Sequence, residues 1–213
     1  MYLPTHFAEE RPEVLQALMR AHPLATLVTL GTDGLVANSI PLLWSEGGQG
    51  HGVLRGHVAR ANPLWRESRP DVEALVIFQG HQAYVSPSWY PSKAEHGRVV
   101  PTWNYAVVQA RGALRCVDDE TWLRVLLTEL TAEHEHTRAA PWSMEDAPAD
   151  YIGKMLGAVV GVELEIRELK GKWKVSQNQS VSNRNGVVAG LRQEGRRDSA
   201  DDVAVRIPAE GPS

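Results

Sequence analysis

The chain has 213 residues, 43% of them hydrophobic and 23% charged, ordinary globular proportions that exclude a disordered, collagen-like or coiled-coil chain and leave enough length for a full core. Lys and Arg total 22 against 26 Asp and Glu, a formal net charge of −4, so no global positive field draws in nucleic acid or anionic lipid. The single cysteine, Cys116, excludes an internal disulfide and a Cys-based zinc cage. With no basic-then-apolar leader and no run of about 20 apolar residues, the chain reads as a cytoplasmic, non-membrane protein.

In chain order, Glu9 to Ala21 sets Val14, Leu15, Leu18 and Met19 on one helical face, with Pro12 in the first turn and His22-Pro23 closing the helix. Leu24 to Leu30 and Leu35 to Trp44 read as a hairpin about the turn Gly31-Thr32-Asp33-Gly34. A short strand follows at Gly52 to Gly56, then a helical turn or two within Val58 to Trp65, interrupted at Asn62-Pro63. Ala74 to Phe78 is a continuous apolar run and predicts a central strand buried on both sides.

From Ala83 the chain is rich in aromatics and prolines and reads as a short strand, a long loop and another strand reaching Tyr105. Ala106 to Val117 alternates with period two, which places Cys116 toward the core rather than as a nucleophile. Asp118 to Glu135 carries Trp122, Leu123, Leu126, Leu127 and Leu130 at helical spacing behind an Asp cap, and Pro148 opens a second helix through Met155. Val160 to Leu169 alternates again. This pattern predicts a mainly β protein, an antiparallel barrel with peripheral helices, forming one domain over residues 1–194 with a C-terminal helical segment. Residues 195–213, poor in apolar side chains, read as a flexible tail.

There is no G-x-x-x-x-G-K-[ST] loop, H-E-x-x-H or G-x-S-x-G, which removes support for nucleotide hydrolases, zincins and α/β-hydrolases. His134 and His136 point away from each other on a helix, so no metal site is expected, and Ser86 and Ser88 beside Pro87 read as turn residues. Three clusters carry chemistry. Trp89, Tyr90, Trp103 and Tyr105 with Lys93, Thr102 and Asn104 suit a planar ligand with polar edges, or a core or interface. His57 and Arg60 in Gly56-His57-Val58-Ala59-Arg60-Ala61-Asn62-Pro63 could hold a phosphate, although on spacing alone a helix cap with a surface Arg is favoured. Gly171 to Asn178 joins two cations to amide side chains, or forms an exposed polar loop.

Five ordered blocks resemble those of the PaiB-like FMN-binding negative transcriptional regulators: Met1-Tyr2-Leu3-Pro4-x-His6-Phe7, Gly56 to Pro63, Tyr84 to Tyr90, Val100 to Tyr105, and Lys174-Val175-Ser176-Gln177-Asn178. The resemblance covers roughly Met1 to Leu191. It implies the FMN-binding split barrel, built as a homodimer with FMN at the subunit interface. Chemistry points to Arg60 and Lys174 for the phosphate, to Asn104 and Gln177 within these blocks and Asn38 outside them for the pyrimidine edge, and to Trp103 as an apolar wall. His57, Asn62 and Thr102 complete the expected cofactor-binding set, with no catalytic residue named and no metal. One departure stands out: Asn178-Gln179-Ser180 occupies the place of an expected Asn-Arg-Ser, a lost cation that bears on flavin affinity if that Arg holds phosphate in relatives. The regulatory label carries no direct DNA contact here, because the only local basic patch, Arg192, Arg196 and Arg197, is offset by Asp198, Asp201 and Asp202. The alternative on the same barrel is an enzyme, an FMN-dependent oxidoreductase of flavin-reductase type, or a haem-handling protein with a histidine as axial ligand.

Overall fold

The computed structural model describes residues 1–207 apart from Gln49. After a 3-10 turn, β1 (Ala8–Glu9) leads into helix α1 (Pro12–Ala21), which starts one residue past Arg11 because proline suits the first helical position. The predicted hairpin forms from β2 (Leu24–Gly31) and β3 (Gly34–Pro41), paired antiparallel from Leu24 with Pro41 to Gly31 with Gly34. Gly34 sits at φ 121°, a conformation that strains L side chains, and so permits the tight reversal. The chain then breaks at Leu42, and β4 (Leu43–Ser45) pairs with β5 (Val53–Ala59) instead of prolonging the hairpin.

Strand β5 runs on through His57 to Ala59, where helical turns were expected, and α2 is only Leu64–Glu67. Strand β6 (Ala74–Val85) has 12 residues and β7 (Thr102–Val117) has 16. Each joins what the sequence divides in two, because pairing with neighbouring strands satisfies the backbone of polar Gln79 to Gln82 as well as that of apolar residues. Ala74, Val76 and Phe78 are buried while Leu75 and Ile77 are only half-buried, so β6 hides one face in this chain rather than two. Between these strands, the expected loop holds a 3-10 turn and the short helix α3 (Ser92–His96).

Helix α4 (Glu120–Glu135) begins at Asp119, whose carboxylate accepts the Trp122 N–H at 2.7 Å, and buries Leu123, Leu126 and Leu130. Helix α5 (Ala149–Gly157) and the 16-residue β8 (Val159–Lys174) follow, β8 burying Val160, Val162, Leu164 and Ile166. The eight strands bond in the order β3-β2-β6-β7-β8-β5-β4, with β1 added to β8. By internal contacts the chain divides into two compact units, one of Met1–Leu18, Gln79–Val108 and the residues from Lys170 onward, the other of Met19–Phe78 and Gln109–Leu169.

In the first unit, α6 (Val181–Gln193) is followed by α7 (Arg197–Ala204). The tail expected from residue 195 therefore begins with a docked helix: Ser199, Ala200 and Val203 are buried, and Arg206 beyond its end reaches the Glu9 carboxylate at 3.2 Å. Its low hydropathy misleads because three small residues on one face suffice to pack it. The last six residues, 208–213, lie outside the described ones. Val203→Ala should destabilise the docking of α7 by about 2 kcal/mol. Faster amide exchange across Arg197–Ala204 is the expected reading, and unchanged exchange there would contradict the packing.

Candidate functional site

The first unit holds a cavity of about 160 Å³ whose lining includes Tyr90, Thr102, Asn104, Lys174, Ser176 and Gln179. Alternation along β7 puts Thr102 and Asn104 on the cavity side, and the end of β8 delivers Lys174. The Lys174 ammonium donates to the Thr102 hydroxyl at 2.5 Å and to the Trp103 carbonyl at 2.6 Å. Two of its three donors are thus committed, and the third has no partner among the described residues. Burial, and then the neighbouring Lys172, hold its pKa below the usual lysine value.

Asn104, 2% exposed, exchanges hydrogen bonds with Ser176, its amide donating to the hydroxyl at 3.0 Å and its carbonyl accepting at 3.2 Å. Ser176 adopts φ 66°, a left-handed conformation uncommon outside glycine, and turns the chain from β8 toward α6. Gln177 turns away from the cavity: its carbonyl accepts the Val175 N–H and its amide donates to the Trp173 carbonyl. Of the last block, Lys174, Ser176 and Asn178 line the cavity, a period of two that the sequence displays and that separates them from Val175 and Gln177. A second cavity of about 430 Å³ shares Tyr90, Val100 and Gln179 with the first and adds His96 and Arg98.

The other expected residues lie elsewhere. Trp103 stands on the face of β7 opposite Thr102 and Asn104, 54% exposed and edge-on to Tyr84 with ring centroids 6.0 Å apart, so it is no wall of this cavity. Asn38, His57, Arg60 and Asn62 belong to the second unit. There the Asn62 side-chain amide donates to the Asn38 side-chain oxygen at 2.8 Å, while its own Oδ1 accepts the Leu64 N–H at 3.0 Å. Arg60 forks onto Asp118, with Nη1 and Nη2 at 2.8 and 2.6 Å from its two oxygens, and its Nε donates to the Gly157 carbonyl at 2.7 Å. That fork is taken up by a carboxylate of the same unit, so a phosphate at Arg60 would compete with Asp118, which lies 58 positions away and gives no local signal of the pairing. His57 lies half-buried in a third cavity, and burial lowers its pKa. Cys116 is half-buried with its thiol pushed up by burial, which does not suit a nucleophile.

Comparison with solved structures gives the class. The flavocytochrome Anf3 of Azotobacter vinelandii matches over 79% of this chain and 69% of its own with TM-score 0.54 at 16% identity. A protein of Mycobacterium smegmatis described as binding FAD and haem matches over 78% and 72% with TM-score 0.55 at 19% identity. The fold is that of the split-barrel flavin-binding proteins. Residues 1–168 match the family described as "Putative FMN-binding domain", and the chain belongs to that family. It is 34% identical over 92% of both chains to a protein of Emericella nidulans, and 28% identical to the protease synthase and sporulation protein PAI 2 of Bacillus subtilis, over 91% of this chain and 90% of that one. The Lys174 ammonium, set among hydroxyls and amides with no carboxylate partner, has the chemistry to receive a phosphate such as that of FMN, while at Arg60 a phosphate would compete with Asp118.

Asp118 is held below its usual 3.8, first by the hydrogen bond from Arg60. A depressed carboxylate stabilises the fold above its unfolded pKa, and that contribution is lost as pH falls through its folded value. Arg60→Ala should therefore lower the melting temperature at pH 7 more than at pH 3 and leave FMN affinity unchanged. A loss of FMN affinity at unchanged melting temperature would return Arg60 to the flavin site.

Proposed function

We propose that this protein is a cytoplasmic homodimeric flavoprotein that grips FMN through Lys174 and has a regulatory role of the kind named for the family it resembles, one that this chain exerts without contacting DNA itself. The observation that carries the reading is a half-buried ammonium with one donor left, in a cavity furnished with Thr102, Ser176, Asn178 and Gln179. Gln179 offers an amide donor where a cation was expected, and Lys172 adds positive charge near Lys174. When bound, FMN supplies a redox-active isoalloxazine ring. The chain's own residues orient the phosphate and supply its positive field.

The exposed Tyr84 and Trp103 pair supports a partner surface, since two large aromatics at about half exposure are costly to leave in water. Opposite charges restrain the basic patch near the C-terminus, where Arg192 donates to Asp201 at 3.1 Å, and this supports a regulatory route other than direct DNA contact.

The purified protein should show a flavin absorption spectrum or take up added FMN, and a preparation that does neither overturns the reading. Lys174→Ala should weaken FMN by roughly ten- to a hundredfold, or about 1.5–3 kcal/mol, the scale of a charge-assisted hydrogen bond. Because the Lys174 pKa is lowered, affinity in the parent should begin to fall at a pH below the ordinary lysine value of 10.5 as the ammonium loses its proton. Flavin fluorescence titration measures both, and an affinity indifferent to Lys174 removes it from the site. Bleaching of bound flavin by NAD(P)H, or a Soret band after haem addition, would move the assignment to the oxidoreductase or haem-handling alternative.

A further inference from the structure

In the second unit, the outer face of β5 lies beneath α4, where Arg55 reaches Glu129 on the helix at 2.6 Å. Two positions further along β5, His57 lines a cavity of about 380 Å³ with Leu127, Leu130 and Thr131 of α4 and with Trp142. An adjoining cavity of about 300 Å³ shares Thr131, Glu135 and Trp142 and adds Met144 and Glu145. Together they match the size of a small-molecule site, and their walls are mainly apolar.

Three features define what such a site would accept. The indole of Trp142 is 45% exposed, and its backbone is seated by Glu135, whose carboxylate accepts the Trp142 N–H at 3.2 Å and the Arg138 guanidinium at 2.9 Å. A large aromatic surface is thus presented at a fixed place. Neither lining contains Lys or Arg, while Glu135 and Glu145 contribute carboxylates, and Glu145 forms no ion pair among the described residues. An anionic ligand would meet like charge, and a cation would meet opposite charge and an aromatic face. His57 contributes an imidazole whose Nδ1 is buried without a partner, and burial favours its neutral form, so it adds no repulsion to a bound cation.

We infer that this cleft is a second ligand site, separate from the FMN site, for a small aromatic amine: its ring would lie against Trp142, Leu127 and Leu130, and its ammonium would face Glu145. The modest volume suits a small molecule rather than a protein segment. Glu135 is already paired with Arg138, so the match of apolar walls with the one unpaired carboxylate, Glu145, selects an amine over a carboxylate of the same shape.

Calorimetric titration with 2-(1-naphthyl)ethylamine and with 1-naphthaleneacetate tests this, because the two share a ring and differ in charge. The amine should saturate at one per chain and bind roughly tenfold or more tighter than the acetate. Glu145→Gln, a change at an exposed position that spares the fold, should remove most of that difference. Trp142→Ala should weaken the amine several-fold, and neither substitution should alter FMN binding. Absence of saturable amine binding, equal affinity for the acetate, or a Glu145→Gln protein that discriminates like the parent would each overturn the proposal. Loss of FMN binding in these variants would overturn the separateness of the two sites.

Discussion

Strands β7 and β8 can lie as close as they do only because Gly112 has no side chain: a Cβ there would fall 1.8 Å from the Glu165 carbonyl oxygen. No rotamer change relieves such a clash, since the obstacle is backbone. Much of the architecture depends on this approach. Strand β8 is bonded to β7, β5 and β1, and its far end carries Lys174 to the Thr102 hydroxyl and the Trp103 carbonyl of β7. There burial, and then the neighbouring Lys172, hold the Lys174 pKa below the usual lysine value.

The two candidate cations show why residue type alone does not define a phosphate site. Arg60 has the better geometry for a phosphate fork, yet its fork already grips a carboxylate, Asp118, and its remaining reach goes to the carbonyls of Gly157 and Val159. An anion would have to displace that carboxylate from a bidentate pair. Lys174 is a point charge whose protein partners are a hydroxyl and a carbonyl, neither of which neutralises it. Lys174 is proposed for the phosphate on the charge left uncompensated rather than on the finer donor geometry.

Much of the fold was legible in the sequence where local chemistry and tertiary demand agree. The β2–β3 hairpin follows from alternation around a Gly-Thr-Asp-Gly turn, and α4 follows from its Asp119 cap and its leucine spacing. Legibility failed where long-range pairing overrides local composition: polar Gln79 to Gln82 continue β6, and an aspartate-rich stretch after Gly195 packs as α7 through Ser199, Ala200 and Val203. In the candidate site, Thr102, Asn104 and Lys174 line one cavity. Trp103 and Gln177 do not join them because strand alternation and a local side-chain-to-backbone clasp turn them away, and the Arg60 partner lies too far along the chain to be read.

The phosphate is what Lys174 should recognise, so the comparison of FMN with riboflavin, which lacks it, is the most direct measurement. In the parent protein FMN should bind at least about tenfold more tightly than riboflavin, the scale of a charge-assisted contact. In Lys174→Ala the two affinities should converge. Equal affinities in the parent, or a preference for FMN that survives the loss of Lys174, would contradict the account.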